Sequence, residues 1–209
     1  ILSLKEATKA IKDKKIDVLV TAPINKDLSY SKSFKYTGHT DFFKHYFRTN
    51  PLMLMISEEL KIALLTDHIP IKDVSNAINK DIVEQKIKAL ETSLIEDFQI
   101  KKPKIAVMAV NPHAGDNGLI GNEDKSIITP AINSFKESSI SVNGPFSADT
   151  FFTNENYKKY DGIIASYHDQ GLIPFKTISF GKGVNFTAGL PVVRTSPDHG
   201  TGFDIAGKG

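Results

Sequence analysis

The sequence predicts an α/β fold built on a mixed sheet. Apolar runs of strand length alternate with segments whose apolar residues recur at helical spacing, an alternation typical of α/β proteins. Two of the strands, Pro51–Ser57 and Leu60–Thr66, are separated only by Glu58 and Glu59. So short a connection predicts an antiparallel hairpin, and therefore a sheet that is not purely parallel.

The elements follow from local patterns along the chain. Leu4, Ala7 and Ile11 share one face of a predicted helix over Leu4–Lys12, and the apolar run Ile16–Thr21 predicts a buried strand. The other helical segments are predicted at Phe42–Phe47, Val74–Ile78, Ile82–Phe98, Glu123–Phe135 and Ala148–Phe152, and the other strands at Lys104–Val110, Ile140–Val142, Asp161–Ala165, Val184–Ala188 and Pro191–Thr195.

The composition is that of a globular protein and excludes several classes of function. The 209 residues are 40% hydrophobic and 24% charged, which allows a sizeable core in one or two domains. A net charge of +2 argues against nucleic acid or an anionic membrane as the main partner. The absence of cysteine excludes disulfides, thiolate metal sites and a cysteine nucleophile.

Because no apolar run approaches the roughly 20 residues of a membrane span and no signal-peptide pattern is present, we expect a cytoplasmic location.

Three histidines each follow a predicted strand. His68, His113 and His168 stand just past the apolar runs that end at Thr66, Val110 and Tyr167. Open α/β folds commonly bind ligands at the carboxyl ends of strands, and imidazole is the commonest protein ligand for transition metals. The pattern indicates a catalytic metal site with one position left open for substrate. Three unrelated loop residues are the alternative, which spacing alone favours, because distant histidines have no diagnostic spacing.

Polar loops carry further candidates. The turn Gly38-His39-Thr40 offers backbone N–H groups, a hydroxyl and an imidazole to an anion, although Thr40 could equally be a plain helix N-cap. Asp149 is able to do proton chemistry. Asp169, directly beside His168, can either orient that histidine or transfer a proton.

Arg194 and Lys176 are the natural partners for an anion such as phosphate, because guanidinium binds phosphate through two hydrogen bonds. Each alone is more often a surface charge. The sequence contains neither Gly-x-Gly-x-x-Gly after a strand nor the Gly-x-x-x-x-Gly-Lys-Ser/Thr loop, so neither a Rossmann cofactor site nor a P-loop is supported.

Taken together, five motifs resemble one known family. They are Gly38–Phe43 (GHTDFF), Asn111–Gly121 (NPHAGDNGLIG), Gly144–Phe152 (GPFSADTFF), Tyr160–Lys176 (YDGIIASYHDQGLIPFK) and Gly183–Thr201 (GVNFTAGLPVVRTSPDHGT). In order and spacing they are similar to the motifs of the 4-hydroxythreonine-4-phosphate dehydrogenases, NAD-dependent enzymes of pyridoxal phosphate biosynthesis. The resemblance runs through nearly the whole chain. It favours a metal site built from His68, His113 and His168 over three unrelated loop residues.

The resemblance implies a fold like that of isocitrate and isopropylmalate dehydrogenases, in which two α/β domains flank a cleft and the nucleotide site is not of the Rossmann type. Residues 1–32 and 179–209 would belong to the first, cofactor-side domain, and residues 33–178 to the second, which carries the dimer contacts and the metal site. The first domain would be incomplete. An N-terminal segment and a short C-terminal one are expected to be absent from this chain, which begins at Ile1 without methionine.

The same resemblance implies roles for single residues. It places the divalent-metal ligands on His68, His113 and His168. It also implies a homodimer whose active site lies at the subunit interface, so that one of the three ligands comes from the partner chain. We assign His168 to that role. Zinc is expected because imidazoles favour zinc or cobalt over magnesium, and magnesium and cobalt stay open. The substrate-binding residues fall on His39, Thr40, Lys176, Asn185 and Arg194. The residues that bind NAD or NADP fall on His199, Gly200, Thr201 and Asp204.

The implied reaction is the oxidation of 4-phosphooxy-L-threonine at its C3 hydroxyl to 2-amino-3-oxo-4-phosphooxybutanoate. This β-keto acid decarboxylates to 3-amino-2-oxopropyl phosphate, on the route to pyridoxine 5'-phosphate. Asp149 and Asp169 are the candidates for the base that takes the alcohol proton.

Three alternatives stay open from the sequence. A related dehydrogenase could act on threonate or erythronate 4-phosphate. A metal-dependent phosphohydrolase or lyase would need no NAD. Finally, the chain could be an inactive fragment that keeps the dimer and metal loops.

Overall fold

The two ends of the chain come together in one unit, Ile1–Met53 with Val184–Gly209, and the middle, Leu54–Gly183, forms another. The structure, a computed structural model, describes residues 1–25, 34–36, 38–200, 202–203 and 207–208. The predicted division differs from these units at residues 33–53 and 179–183. The first difference has a packing reason, because Phe42 and Phe43 join Leu4 in the apolar core of the first unit.

Helices and strands alternate as the sequence predicts. The helices are α1 (Leu2–Lys12), α2 (His39–Phe47), α3 (Val74–Ala77), α4 (Lys80–Glu96), α5 (Thr129–Asn133), α6 (Ala148–Phe151) and α7 (His168–Ser179). The strands are β1 (Val18–Val20), β2 (Leu52–Ile56), β3 (Lys61–Leu64), β4 (Lys104–Met108), β5 (Ser141–Phe146), β6 (Gly162–Ala165), β7 (Val184–Ala188) and β8 (Val193–Pro197). Among the described residues, no helix is both long and apolar enough to cross a membrane.

In the first unit, β8 lies between β1 and β7. It runs parallel to β1, with Leu19 opposite Arg194, and antiparallel to β7, with Asn185 opposite Ser196. The buried core of this unit is mostly aromatic and is formed by Leu4, Phe34, Phe42 and Phe43, against which Leu19, Tyr36, Phe47 and Leu190 pack. The fold of this unit therefore places Arg194 and Asn185 on neighbouring strands.

In the second unit the strand order is β2-β3-β6-β4-β5. The predicted hairpin is confirmed, because β2 and β3 are antiparallel, and every other neighbouring pair is parallel. The sheet is therefore mixed, as predicted. Because β3, β6 and β4 are parallel neighbours, their carboxyl ends meet at one edge, where His68, His168 and His113 follow them.

Two helices differ from the sequence-based expectation. The predicted helix Glu123–Phe135 is instead a π-helical turn, Asp124–Ile128, followed by α5. Pro130, in the first turn of α5, has no backbone N–H to donate. Helix α7 is not predicted at all, because Gly171 and Pro174 interrupt its pattern. Gly171 allows close packing there, since a Cβ on it would lie 2.8 Å from the Leu64 side chain.

Candidate active site

Side-chain hydrogen bonds tie together the carboxyl ends of β3, β6 and β4. Thr66 donates its hydroxyl to the Ser166 carbonyl (2.8 Å), and the Ser166 hydroxyl donates to the Met108 carbonyl (3.1 Å). The Gln170 side chain accepts from the Ser166 amide (2.7 Å) and donates to the Ala109 carbonyl (2.8 Å). Three loops therefore leave the sheet from fixed neighbouring points, and each carries one predicted metal ligand.

His68 and His168 form an imidazole pair at this edge. Their ring centroids are 5.6 Å apart, and both side chains border a cavity of about 300 Å³. The Nδ1 atom of His168 lies 2.7 Å from a carboxylate oxygen of Asp169. A carboxylate on one ring nitrogen fixes the orientation of an imidazole whose other nitrogen binds a metal. Nε2 is thus the ring nitrogen of His168 that could bind a metal.

His113 does not join this pair within the chain. The five residues from His113 to Asn117 all have left-handed backbone angles, with φ between 42° and 77°. Such a conformation costs about 1–2 kcal/mol for each non-glycine residue, so other contacts must offset it. Among the described residues, no three His, Cys, Asp or Glu side chains are grouped so that they could hold a metal ion. The structure thus brings together two of the three predicted ligands.

The two candidate bases border a second cavity in the same unit, of about 490 Å³. Its walls are largely apolar and include Phe152 and Ile173. Asp169 already contacts the ring of His168, whereas Asp149 is exposed at the start of α6. The arrangement therefore suits Asp169 to orient the histidine and leaves Asp149 available for proton transfer.

Arg194, in the first unit, is a buried cation without an acidic partner among the described residues. It is 3% exposed, and its two terminal nitrogens donate to the hydroxyls of Thr187 (2.9 Å) and Thr21 (2.5 Å). Burial lowers the pKa of Arg194 to about 10, which leaves it charged at neutral pH. Within the described part of the chain, its Nε and the Oδ1 of Asn185 are buried without hydrogen-bond partners. A buried charge with neutral partners and a spare donor suits an anionic ligand.

His39 lies against the same guanidinium. Its Nδ1 is 3.3 Å from Nη2 of Arg194. Burial first, and the charge of Arg194 second, lower the pKa of His39 to about 4. The ring is therefore neutral at pH 7, accepts from Arg194 through Nδ1 and keeps Nε2–H as a donor.

The lowered pKa of His39 predicts that the fold becomes less stable as the pH falls. Because the pKa of His39 rises from about 4 to the ordinary 6.5 on unfolding, the unfolded chain binds more protons between these values. The free energy of unfolding should therefore fall as the pH is lowered from 6.5 towards 4, with His39 contributing up to about 1.4 kcal/mol per pH unit. Urea unfolding at pH 7, 6, 5 and 4 measures the slope, which His39→Gln should reduce. His45→Gln, on the same helix, controls for the loss of an imidazole; equal slopes in wild type and His39→Gln would contradict the assignment.

The other predicted substrate residues occupy separate places. Helix α2 begins at His39 with Gly38 before it, so Thr40 lies within the first turn and the N-cap alternative for Thr40 is wrong. Thr40 is half-buried beside His39. Lys176 is exposed in the last turn of α7, in the second unit.

The predicted coenzyme residues are only partly described. His199 and Gly200 are exposed, and Nδ1 of His199 lies 2.8 Å from the Gly200 carbonyl oxygen. A Cβ on Gly200 would meet no atom within 4 Å, so the backbone there is open to a ligand. Thr201 and Asp204 lie outside the described residues.

Sequence reasoning missed the partners of Arg194. Thr21 follows β1 and Thr187 lies in β7, and both are buried, at 7% and 1% exposure. A hydroxyl in or after an apolar strand is only a weak signal of a buried ionic site. The contact between Thr21 and Arg194 joins residues 173 positions apart, which no local pattern reveals.

Comparison with known proteins identifies relatives of this chain. The chain is similar to 4-hydroxythreonine-4-phosphate dehydrogenases from Bacteroides thetaiotaomicron (46% identity; 99% of this chain and 57% of the relative covered) and from a Sulfurihydrogenibium species (46%; 100% and 64%). It therefore spans about three fifths of the length of these curated relatives.

Solved structures show the same fold. The crystal structure of 4-hydroxythreonine-4-phosphate dehydrogenase from Klebsiella pneumoniae has a TM-score of 0.86 and 38% identity, covering 97% of this chain and 61% of that one. An isocitrate dehydrogenase from Methylococcus capsulatus matches with a TM-score of 0.53 and 11% identity, over 97% of this chain and 65% of that one. The latter likeness concerns the fold alone, and it confirms the predicted isocitrate dehydrogenase-like class.

The motifs and the fold thus agree with a sequence match that extends from the first residue to the last. Over residues 1–209 the chain matches the family described as "Pyridoxal phosphate biosynthetic protein PdxA", and it belongs to that family.

Proposed function

We propose that the protein to which this chain belongs oxidises 4-phosphooxy-L-threonine at its C3 hydroxyl, with NAD or NADP as the hydride acceptor, in pyridoxine 5'-phosphate biosynthesis. Family membership and the names of its relatives support this activity. The structural observation that carries it is the pair of His68 and His168, held at one sheet edge with Asp169 on the second ring.

The donors at this edge fit a divalent metal. Both are imidazoles, and Asp169 directs one of them so that Nε2 is the ligating atom. Nitrogen ligands favour zinc or cobalt over magnesium, so zinc is the ion we propose. A metal bound by His68 and His168 would act as a Lewis acid that lowers the pKa of the substrate alcohol.

A homodimer would complete the site. Because His68 and His168 lie together in one chain, we infer that the ligand from the second chain is His113, in place of our sequence-based choice of His168. The cytoplasmic location predicted from the sequence belongs to the same proposal.

Arg194 would bind the substrate phosphate. Its charge has only neutral partners among the described residues, so an incoming anion gains the full attraction without displacing a carboxylate. Neutral His39 holds the guanidinium in place and can donate through Nε2–H. Thr40, Lys176 and Asn185 would add hydrogen bonds to the substrate.

Asp149 would take the proton of the alcohol. Asp169 is engaged with His168, whereas Asp149, which borders the same cavity, has no hydrogen-bond partner among the described residues. The exposed His199 and Gly200 would contact the coenzyme, which would supply the hydride acceptor that side chains lack.

The assay that tests this function follows NADH absorbance at 340 nm with zinc and 4-phosphooxy-L-threonine. Erythronate 4-phosphate serves as the matched substrate without an amino group. We expect NADH to form faster with the amino acid. Release of inorganic phosphate without NADH would support a phosphohydrolase instead. Zinc binding by this chain without NADH formation would support the alternative of an inactive fragment that retains the dimer and metal loops.

A further inference from the structure

The loop that carries His113 is folded tightly on itself. We call residues Asn111–Gly121 the His113 loop. Within it, the amide of Leu119 donates to the Asp116 carbonyl (3.2 Å), and that of Ile120 to the Gly115 carbonyl (3.0 Å). A Cβ on Gly115 would come within 2.6 Å of the Gly121 carbonyl oxygen. The left-handed run is therefore one compact turn with no spare room.

Asp124 is hydrogen-bonded to the residues at the start of this loop. It is 1% exposed and forms no ion pair within the described part of the chain. Its carboxylate accepts three hydrogen bonds, from the amide of Val110 (2.7 Å), the amide of Asn111 (3.0 Å) and the side-chain nitrogen of Asn111 (3.0 Å). Every one of these donors stands at the point where β4 passes into the His113 loop.

Asn111 extends this contact to the other end of the loop. Its side-chain nitrogen also donates to Glu123 (2.8 Å). A Cβ on Gly121 would lie 2.6 Å from the side-chain atoms of Asn111, so the amide fills the space between the two ends. Asp124 thus holds the start of the loop directly and its end through Asn111.

We propose that Asp124 is the positioning residue of His113, whose buried carboxylate holds the His113 loop in its left-handed turn so that the imidazole is presented for metal binding. The inference rests on the proposed function, in which His113 is a ligand. A carboxylate suits this task because all its lone pairs can accept N–H groups. Asparagine has nearly the same volume, but its NH₂ group would face a donor.

The test compares Asp124→Asn with Asp161→Asn. Asp161 accepts a hydrogen bond from the backbone amide of Lys104 (2.8 Å), at the opposite end of the same strand β4. The control therefore makes the same carboxylate-to-amide replacement at β4 without touching the loop, and the asparagine oxygen can still accept from the Lys104 amide. His113→Ala is measured beside both variants.

Two quantities are measured, amide hydrogen exchange in the metal-free chain and Zn²⁺ affinity by chelator competition. In Asp124→Asn we expect the amides of Leu119 and Ile120 to exchange about tenfold faster or more, with the β4 amides unchanged. Zinc affinity should fall by about 10- to 100-fold, as for residues that orient metal ligands, and should stay unchanged in Asp161→Asn.

Three results would overturn the inference. Unchanged exchange in the His113 loop would show that Asp124 does not hold it. Asp124→Asn could exchange faster and still bind zinc with wild-type affinity, while His113→Ala binds zinc weakly. That result would show that Asp124 holds the loop but does not position His113 for metal binding. Wild-type affinity in His113→Ala itself would remove the ligand role, and with it the proposed metal site. Where Asp124→Asn does not fold, Asn111→Ala, at a half-buried position, is measured in its place with the same expected results.

Discussion

Replacing His168 with alanine is expected to abolish zinc binding and to lower kcat by about 10²- to 10³-fold. The physical reason is that the substitution removes one imidazole of a pair whose centroids lie 5.6 Å apart, and this imidazole is the one that Asp169 orients. A Lewis-acid metal contributes several kcal/mol to transition-state stabilisation, and each 1.36 kcal/mol is tenfold in rate. Zinc titration and steady-state kinetics with 4-phosphooxy-L-threonine measure the two effects.

Two further variants sharpen this prediction. Asp169→Asn keeps the ligand but removes the carboxylate from Nδ1, so zinc affinity should fall by about 10- to 100-fold rather than vanish. His45→Ala removes an exposed imidazole of helix α2 and should behave as wild type. Wild-type kcat and zinc affinity in His168→Ala would refute the metal role of this pair.

Replacing Arg194 with methionine is expected to weaken substrate binding without lowering the stability of the fold. The loss of the guanidinium should raise KM for a phosphorylated substrate by about 30- to 1000-fold, because a buried charged contact is worth about 2–4 kcal/mol. The free energy of unfolding should stay the same or rise. The reason is that the wild-type protein buries this charge against the hydroxyls of Thr21 and Thr187 and the neutral ring of His39.

The matched control is Arg48→Met, at the exposed C-terminal end of helix α2, which should leave KM unchanged. Steady-state kinetics and urea unfolding of the same preparations give both quantities. An unchanged KM in Arg194→Met would show that the phosphate binds elsewhere. A large loss of stability in that variant would show that Arg194 serves mainly the fold.

Local patterns predicted much of the second unit. The hairpin follows from two apolar runs separated by two residues, and the placement of the three histidines just past strands follows from the apolar runs before them, whereas their metal role stays a prediction. The adjacency of β3, β6 and β4 then brings their ends to one edge. These features depend on periodicity and connection length, which a single sequence displays.

The remaining features depend on contacts between distant residues. Helix α7 contains Gly171 and Pro174, whose local preferences oppose a helix until packing against β3 outweighs them. The left-handed turn at His113 has no signature in residues such as Ala114, which rarely adopt it. Asp124 is typical of a helix start in the sequence, and only the structure shows its bonds to Val110 and Asn111.

The measurement that tests the central claim most directly is zinc content per chain, determined by elemental analysis. It compares the wild type with His68→Ala, His113→Ala and His45→Ala, each purified in parallel after zinc addition. We predict about one ion per chain in the wild type and in His45→Ala, and little in the other two. Equal zinc in all four, or none in any, would contradict a metal centre built from these histidines.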